Sequence, residues 1–112
     1  MKGTYLGEFE ELVLLAVGIL FGDAYGLAIV DELEKKTGRS IMISSVHKVL
    51  VRLEDKGYIK SHMGGATSLR GGRDKRLYML TQAGKKAMGQ SRELRNSMWK
   101  EIPKIVWEGG KI

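Results

Sequence analysis

The sequence predicts a mainly α-helical protein that contains one small antiparallel β-hairpin. Three observations indicate this fold class. Apolar residues recur at helical spacing in three segments before Gly57, they alternate along a short segment directly after it, and helical spacing returns after Thr81. The chain has 112 residues and no cysteine, so we expect one domain with a modest core and no disulfide bond.

The first predicted helix covers residues 7–21. Its apolar side chains recur at steps of three and four residues, and Leu14, Leu15 and Val17 occupy further faces. This pattern indicates a helix that is buried on most sides. The apolar run within it has ten residues, about half of what a membrane-spanning helix requires, and acidic residues precede it. We therefore expect no membrane segment and no signal peptide, but a soluble cytoplasmic protein.

The second predicted helix begins near Ala24 and ends at Thr37. Asp23 is placed to cap its N-terminus, and Gly38 is placed to end it. The helix also carries two acid–base pairs that are four residues apart, Asp31/Lys35 and Glu32/Lys36. Because the acid comes first in each pair, this spacing favours a solvated outer face.

The third predicted helix covers residues 44–56. Four of its apolar residues lie on one stripe, at the positions Val46, Val49, Leu50 and Leu53. We therefore expect one side of this helix to belong to the core. Ser44 or Ser45 can cap its N-terminus, and Gly57 can end it.

Two strands are predicted after the third helix. The segment from Ile59 to Met63 alternates between two faces, and residues 76–80, which include Tyr78, have high β-propensity. Residues 64–76, which carry two glycine pairs, four cations and one acid, include the loop between them. Their net charge of +3 is half of the chain's formal charge of +6. A cationic hairpin tip of this kind favours an anionic partner such as nucleic acid.

A long C-terminal helix is predicted after the hairpin. Thr81 is a candidate N-cap, and the helix is expected to be kinked or restarted at Pro103. Its apolar stripe consists of Ala83, Ala87, Leu94, Met98, Ile102 and Ile105. We divide the chain into a compact part, residues 1–80, and a C-terminal dimerisation helix, residues 81–112.

The order of three helices, a strand, a basic Gly-rich tip and a second strand is typical of a winged helix-turn-helix. The outward face of the third helix, opposite its apolar stripe, consists of Ser44, Ser45, His47, Lys48, Val51 and Arg52. Such a face fits the major groove of DNA, where serine, histidine, lysine and arginine can hydrogen-bond and Val51 can contact a thymine methyl group. The predicted hairpin contacts with the DNA backbone or minor groove are Arg70, Arg73, Lys75 and Arg76. Either feature alone is also found on ordinary solvated surfaces, and their combination favours DNA binding.

Catalytic and metal sites are not indicated. His47 and His62 are the only histidines, and neither belongs to a recognisable catalytic constellation. The glycine pairs do not match a nucleotide-binding loop, because a strand rather than a helix follows them. We therefore expect no enzyme activity, no cofactor and no metal.

The sequence resembles the PadR family of bacterial transcriptional regulators, specifically short members with a single C-terminal helix. The resemblance covers about residues 11–88 and lies in the segments LVLLAVGILFGDAYGLAIVDELE, VLVRLEDKGYI and GGRDKRLYMLTQAGKKAM. It implies a homodimer that binds operator DNA, usually as a repressor, with the C-terminal helix exchanged between subunits. Two segments depart from the family pattern: Val46-His47-Lys48 replaces Leu-Tyr-Pro, and Leu27-Ala28 replaces Tyr-Glu. Operator sequences of other members therefore do not transfer to this chain.

The end of the C-terminal helix also favours association independently of this resemblance. Its predicted dimerisation residues are Leu94, Met98, Ile102 and Ile105, which lie beyond the compact part and need a partner. A two-fold dimer predicts a pseudo-palindromic operator. Met98, Trp99 and Trp107 could line a pocket for a flat hydrophobic aromatic inducer, or anchor the dimer interface alone. Trp107 is expected on a different side of the helix from the stripe, which favours the second interpretation.

We therefore predict a homodimeric, sequence-specific DNA-binding repressor that is associated with the nucleoid when bound, and small-molecule induction stays open. The alternative is a winged-helix module that senses a ligand or binds a protein and has no specific operator.

Overall fold

The computed structural model describes residues 6–64 and 75–109. These residues form five helices and two strands, in the order α1 Glu8–Ile19, α2 Gly26–Thr37, α3 Ile43–Asp55, β1 Ile59–Gly64, β2 Lys75–Leu80, α4 Gln82–Glu101 and α5 Lys104–Trp107. The strands pair antiparallel. This order confirms the predicted mainly helical fold with a hairpin, arranged as a winged helix.

The core lies where α1, α2 and α3 meet the hairpin. Val13, Leu14 and Val17 of α1 are almost completely buried, whereas Leu15 is 43% exposed. Helix α1 contacts α2, α3, α4 and β2. It is therefore the central element of the core. The predicted burial on most sides is confirmed only in part, because Leu15 and Ile19 are exposed. None of the described helices has the length and apolar character needed to cross a membrane.

The turn before α2 differs from the prediction. Helix α2 begins at Gly26 rather than near Ala24, and no side chain caps it, so the predicted cap at Asp23 is wrong. The reason is tertiary: the Ala24 carbonyl accepts a hydrogen bond of 2.9 Å from the Tyr78 amide of β2. Residues 23–25 therefore run beside β2 instead of starting the helix. The predicted end at Gly38 is confirmed, since this glycine adopts φ +72°.

Helix α3 has the predicted buried stripe, since Val46, Val49, Leu50 and Leu53 are all buried. The predicted serine caps are wrong. The helix begins one residue earlier, at Ile43, with Met42 as the N-cap and no capping side chain. Ser44 and Ser45 consequently lie within the first turn of α3.

Gly57 redirects the chain from α3 into β1, as predicted. Its φ of +82° lies in the left-handed region, which other residues avoid. In the hairpin that follows, Ile59 lies opposite Leu80 and Ser61 lies opposite Tyr78. The sequence-predicted tip between Gly64 and Lys75, which includes Arg70 and Arg73, lies outside the described residues.

Helix α4 leaves the compact part of the molecule. Thr81 caps it as predicted, because its hydroxyl oxygen accepts a hydrogen bond of 3.0 Å from the Gly84 amide. Only Gly84 and Ala87 of this helix are buried, and Ala83, at the start of the predicted apolar stripe, is exposed. The radius of gyration is 17.2 Å. A compact chain of this length would have about 13 Å, and the difference reflects the protruding helix.

The predicted restart at Pro103 is confirmed. Helix α4 ends at Glu101, and α5 begins directly after Pro103. This break changes the direction of the chain and brings the end of α5 back toward the last turn of α4.

Candidate nucleic-acid interface

The outward face of α3 is open to solvent along its whole length. All six residues predicted for it are exposed: Ser44, Ser45, His47, Lys48, Val51 and Arg52. Val51 is 62% exposed, which is unusual for an apolar side chain in the middle of a helix. The structure therefore leaves this face uncovered by the chain's own described residues.

His47 lies against the start of α2. A Cβ atom built on Gly26 would lie 3.4 Å from Cε1 of His47 and 3.2 Å from Cδ1 of Ile43. The absence of a side chain at Gly26 thus lets α2 and α3 approach closely. The imidazole ring therefore lies beside the first turn of α2, and His47 as a whole remains exposed.

Arg52 is turned toward the first turn of α1. Its guanidinium lies 3.6 Å from the carboxylate of Glu10, and Nζ of Lys56 lies 3.1 Å from both oxygens of that carboxylate. Glu10 is only 8% exposed. Burial raises the pKa of the Glu10 carboxyl. The hydrogen bonds from Gly7 and Lys56 and the charges of Lys56 and Arg52 together lower it by more, so the pKa lies below its ordinary value of 4.5.

The base of the hairpin carries two of the predicted cations, and both have partners. Nη1 of Arg76 donates a hydrogen bond of 2.9 Å to the hydroxyl oxygen of Ser61. That hydroxyl donates to the carboxylate of Glu54, with distances of 3.0 and 3.2 Å. Nζ of Lys75 lies 4.0 Å from the centre of the Tyr25 ring. These partners could not be predicted from local sequence patterns, because each pair joins residues from different elements.

The predicted dimerisation stripe is largely exposed. Leu94, Met98 and Ile105 are each 61% exposed, and Ile102 is half-buried. Met98, Trp99 and Ile102 line a surface groove of about 380 Å³ together with Arg95. A protruding helix with such a stripe has the surface that an oligomer interface requires.

The two tryptophans lie together although Pro103 separates α4 from α5. The rings of Trp99 and Trp107 are stacked, and Trp99 does not belong to the predicted stripe. Of the three predicted pocket residues, Met98 and Trp99 line the groove, and Trp107 contacts Trp99 without lining it. The position of Trp107 relative to the stripe stays a prediction.

A second groove, of about 450 Å³, separates α1 from α4. Its floor includes Leu15, Leu80 and Met88. One ion pair crosses between the helices, from Arg95 of α4 to Glu11 of α1. This ion pair links α4 to α1 beyond Ala87, which is the last buried residue of α4.

Metal binding receives no support from the described residues. Within 6–64 and 75–109, no group of three or more histidine or carboxylate side chains could hold a metal ion.

Comparisons with known proteins agree with the fold. A family model described as the transcriptional regulator PadR-like family matches residues 14–90. A transcriptional regulator from Clostridium thermocellum is 27% identical, with a TM-score of 0.63, and the match covers 91% of this chain and 92% of that one. A PadR family transcriptional regulator from Eggerthella lenta is 23% identical, with a TM-score of 0.66 over 88% and 86% of the two chains.

A third structure, Bacillus subtilis PadR in complex with operator DNA, has the same fold. It is 20% identical, with a TM-score of 0.61, and the match covers 76% of this chain and 46% of that one. No curated protein sequence is significantly similar to this chain.

Proposed function

Because the chain belongs to the PadR-like family of transcriptional regulators, we propose that it binds a specific double-stranded DNA operator through the outward face of α3. Its family consists of regulators rather than enzymes. The observation that carries the proposal is the division of α3 into a fully buried stripe and an outward face whose six predicted contacts are all exposed.

The chemistry of this face suits the major groove. Ser44 and Ser45 lie in the first turn, where small side chains let a helix approach the base edges closely. Lys48 follows one turn later and can donate to guanine or to a phosphate. Val51 offers an exposed apolar surface for a thymine methyl group. His47 and Arg52 flank these residues: His47 lies toward α2, and Arg52 lies toward α1.

The hairpin extends the proposed contact to the DNA backbone. Lys75 and Arg76 lie at its described base and are exposed. Arg70 and Arg73 belong to the tip, and their contacts with phosphates or the minor groove remain predictions from the sequence. Cations that neutralise phosphates release counterions, which makes binding weaken as salt increases.

We propose that the regulator acts as a homodimer. The exposed stripe of Leu94, Met98, Ile102 and Ile105 would form the interface, and a two-fold axis would place the two α3 helices one DNA turn apart, about 34 Å. The operator would then be pseudo-palindromic. Repression, the usual mode implied by the resemblance to the family, is part of this proposal, and the groove at Met98 and Trp99 is the proposed inducer site.

The same groove supports a second candidate function. Two exposed, stacked indole rings beside an apolar groove can bind a flat aromatic molecule or a protein, independently of any operator. In that case the winged fold would serve as a ligand-sensing or protein-interaction module.

Selection of duplexes from random DNA by the full chain tests the first proposal. We expect a two-fold symmetric consensus sequence. The logarithm of its binding constant should fall linearly with the logarithm of the salt concentration, with a slope of about −0.9 for each phosphate contacted. Binding that is indifferent to sequence would contradict an operator. If aromatic compounds or proteins then quenched tryptophan fluorescence at low concentration, the second candidate would be favoured.

A further inference from the structure

Three side chains link the end of α3 to both strands of the hairpin. The Ser61 hydroxyl of β1 accepts a hydrogen bond from Arg76 of β2 and donates one to Glu54 of α3. From this arrangement we propose that Glu54 and Ser61 are positioning residues, which hold Arg76 and the base of the hairpin at a fixed place beside the outward face of α3. The inference rests on the proposed function and adds residues that act through others rather than by touching DNA.

The chemistry of each group fixes the direction of these hydrogen bonds. A guanidinium can only donate and an ionised carboxylate can only accept, so the Ser61 hydroxyl must accept from Arg76 and donate to Glu54. Both bonds involve a charged group and are therefore stronger than bonds between neutral groups. Arg76 lies diagonally across the hairpin from Ser61, because Ser61 pairs with Tyr78.

A second contact holds the other face of β2. Successive residues of a strand point to opposite faces, so Lys75 points away from Arg76. Its ammonium group lies over the ring of Tyr25, just before α2. The Tyr78 amide also donates to the Ala24 carbonyl in the same segment. The base of the hairpin is thus held between α3 and the segment that precedes α2.

Exposure indicates that orientation, rather than stability, is the main effect of the Glu54–Ser61–Arg76 link. Glu54 and Arg76 are exposed, and Ser61 is only half-buried. Exposed contacts between charged and polar side chains, like exposed ion pairs, contribute little to the free energy of unfolding. Fixing the hairpin before DNA arrives would reduce the conformational entropy lost on binding, which improves affinity without any new contact.

Glu54 is acidic and lies beside the proposed DNA-binding surface, so two possible roles of this residue predict opposite effects of its removal. If Glu54 only repels phosphates, its removal should strengthen binding. If it positions the hairpin, its removal should weaken binding. Asp55 is the matched control, because it lies in the same last turn of α3, is exposed, and its side chain has no hydrogen bond or ion pair with the described residues.

The experiment compares Glu54→Ala, Asp55→Ala, Ser61→Ala and Ser61→Thr, each in the full chain, for binding to the selected operator duplex at one salt concentration. We expect Glu54→Ala and Ser61→Ala to bind about three- to tenfold more weakly than the unchanged chain. Asp55→Ala should bind as tightly or more tightly, and Ser61→Thr should retain affinity because it keeps the hydroxyl group. Thermal unfolding of each variant checks that the compact part is intact.

The inference is overturned if Glu54→Ala binds as tightly as Asp55→Ala, or if Ser61→Ala binds as tightly as Ser61→Thr. Failure of the underlying function looks different, since the unchanged chain would then show no sequence-specific, salt-dependent binding to any duplex. The unchanged chain is therefore measured first, and the variants are compared with it.

Discussion

The indole rings of Trp99 and Trp107 stack with their centroids 5.5 Å apart and their planes inclined by 9°. One ring lies in the last turns of α4 and the other at the end of α5. The two rings can come into contact because the chain changes direction at Pro103. The stack therefore fixes the direction of α5 relative to α4, at the end of the surface proposed for dimerisation.

Replacing Trp107 by Leu should remove the exciton signal of the coupled indoles from the circular dichroism spectrum. Both rings are more than half exposed, so the stack should contribute no more than about 1.5 kcal/mol to stability. Val106→Leu is the control, since it changes the neighbouring exposed residue and leaves both rings in place. A signal that persists without Trp107 would show that the rings do not stack in solution.

At Gly84, α4 packs directly against the backbone of Tyr58. A Cβ atom there would lie 2.1 Å from the carbonyl oxygen of Tyr58, a backbone atom that cannot easily move. We expect Gly84→Ala to destabilise the chain by about 2–3 kcal/mol or more. Gly89, in the same helix, has no neighbour within 4 Å of such an atom. Gly89→Ala should therefore stabilise the chain by about 0.5–1 kcal/mol. Chemical denaturation measures both, and equal effects would contradict this packing.

Glu10 should make stability depend on pH. Its folded pKa is lowered below the ordinary value of 4.5. The stabilisation is therefore complete above that value and is lost as the pH falls through the folded pKa. We expect Glu10→Gln to cost about 1–3 kcal/mol at pH 7, and the cost should shrink as the pH falls through the folded pKa of Glu10.

Glu8→Gln is the control for this measurement. Glu8 lies in the same first turn and pairs with Arg39, but its side chain is 69% exposed. Its replacement should change the free energy of unfolding by less than about 1 kcal/mol at either pH. A constant cost of Glu10→Gln from neutral to acidic pH would contradict the role of the carboxylate charge.

If the exposed stripe forms the dimer interface, one charge introduced into the stripe should dissociate the dimer. Met98→Glu should produce a monomer at micromolar concentration, because a carboxylate would have to be desolvated in the interface. Asn96→Glu adds the same charge about 160° around the helix at 100° per residue and should leave the dimer intact. Analytical ultracentrifugation distinguishes the states. A monomeric unchanged chain, or a dimer that survives Met98→Glu, would contradict this interface.

Local patterns in the sequence were sufficient to predict the fold. The buried stripe of α3, the ends of helices at Gly38 and Gly57, and the cap at Thr81 depend on residues that are close in sequence. Each of these features follows from periodicity or from the conformational preference of one residue. The exposed face of α3 could be predicted for the same reason.

The features that sequence reasoning missed depend on contacts between distant segments. The start of α2 is set by the hydrogen bond between Ala24 and Tyr78, and the close approach at Gly84 depends on Tyr58. The link between Glu54, Ser61 and Arg76 likewise joins three elements. No periodic pattern records such contacts, so they became visible only in the folded chain.

The contribution of Lys48 to operator binding is the most direct test of the central proposal. Lys48→Ala removes one charge from the outward face of α3, and Lys35→Ala removes the same charge from an exposed position of α2. We expect Lys48→Ala to weaken binding by about 1–3 kcal/mol with relaxed base preference, or to reduce the salt slope by about one if Lys48 contacts a phosphate. Lys35→Ala should bind like the unchanged chain. If the two variants bind the operator equally well, the outward face of α3 is not the DNA-binding surface.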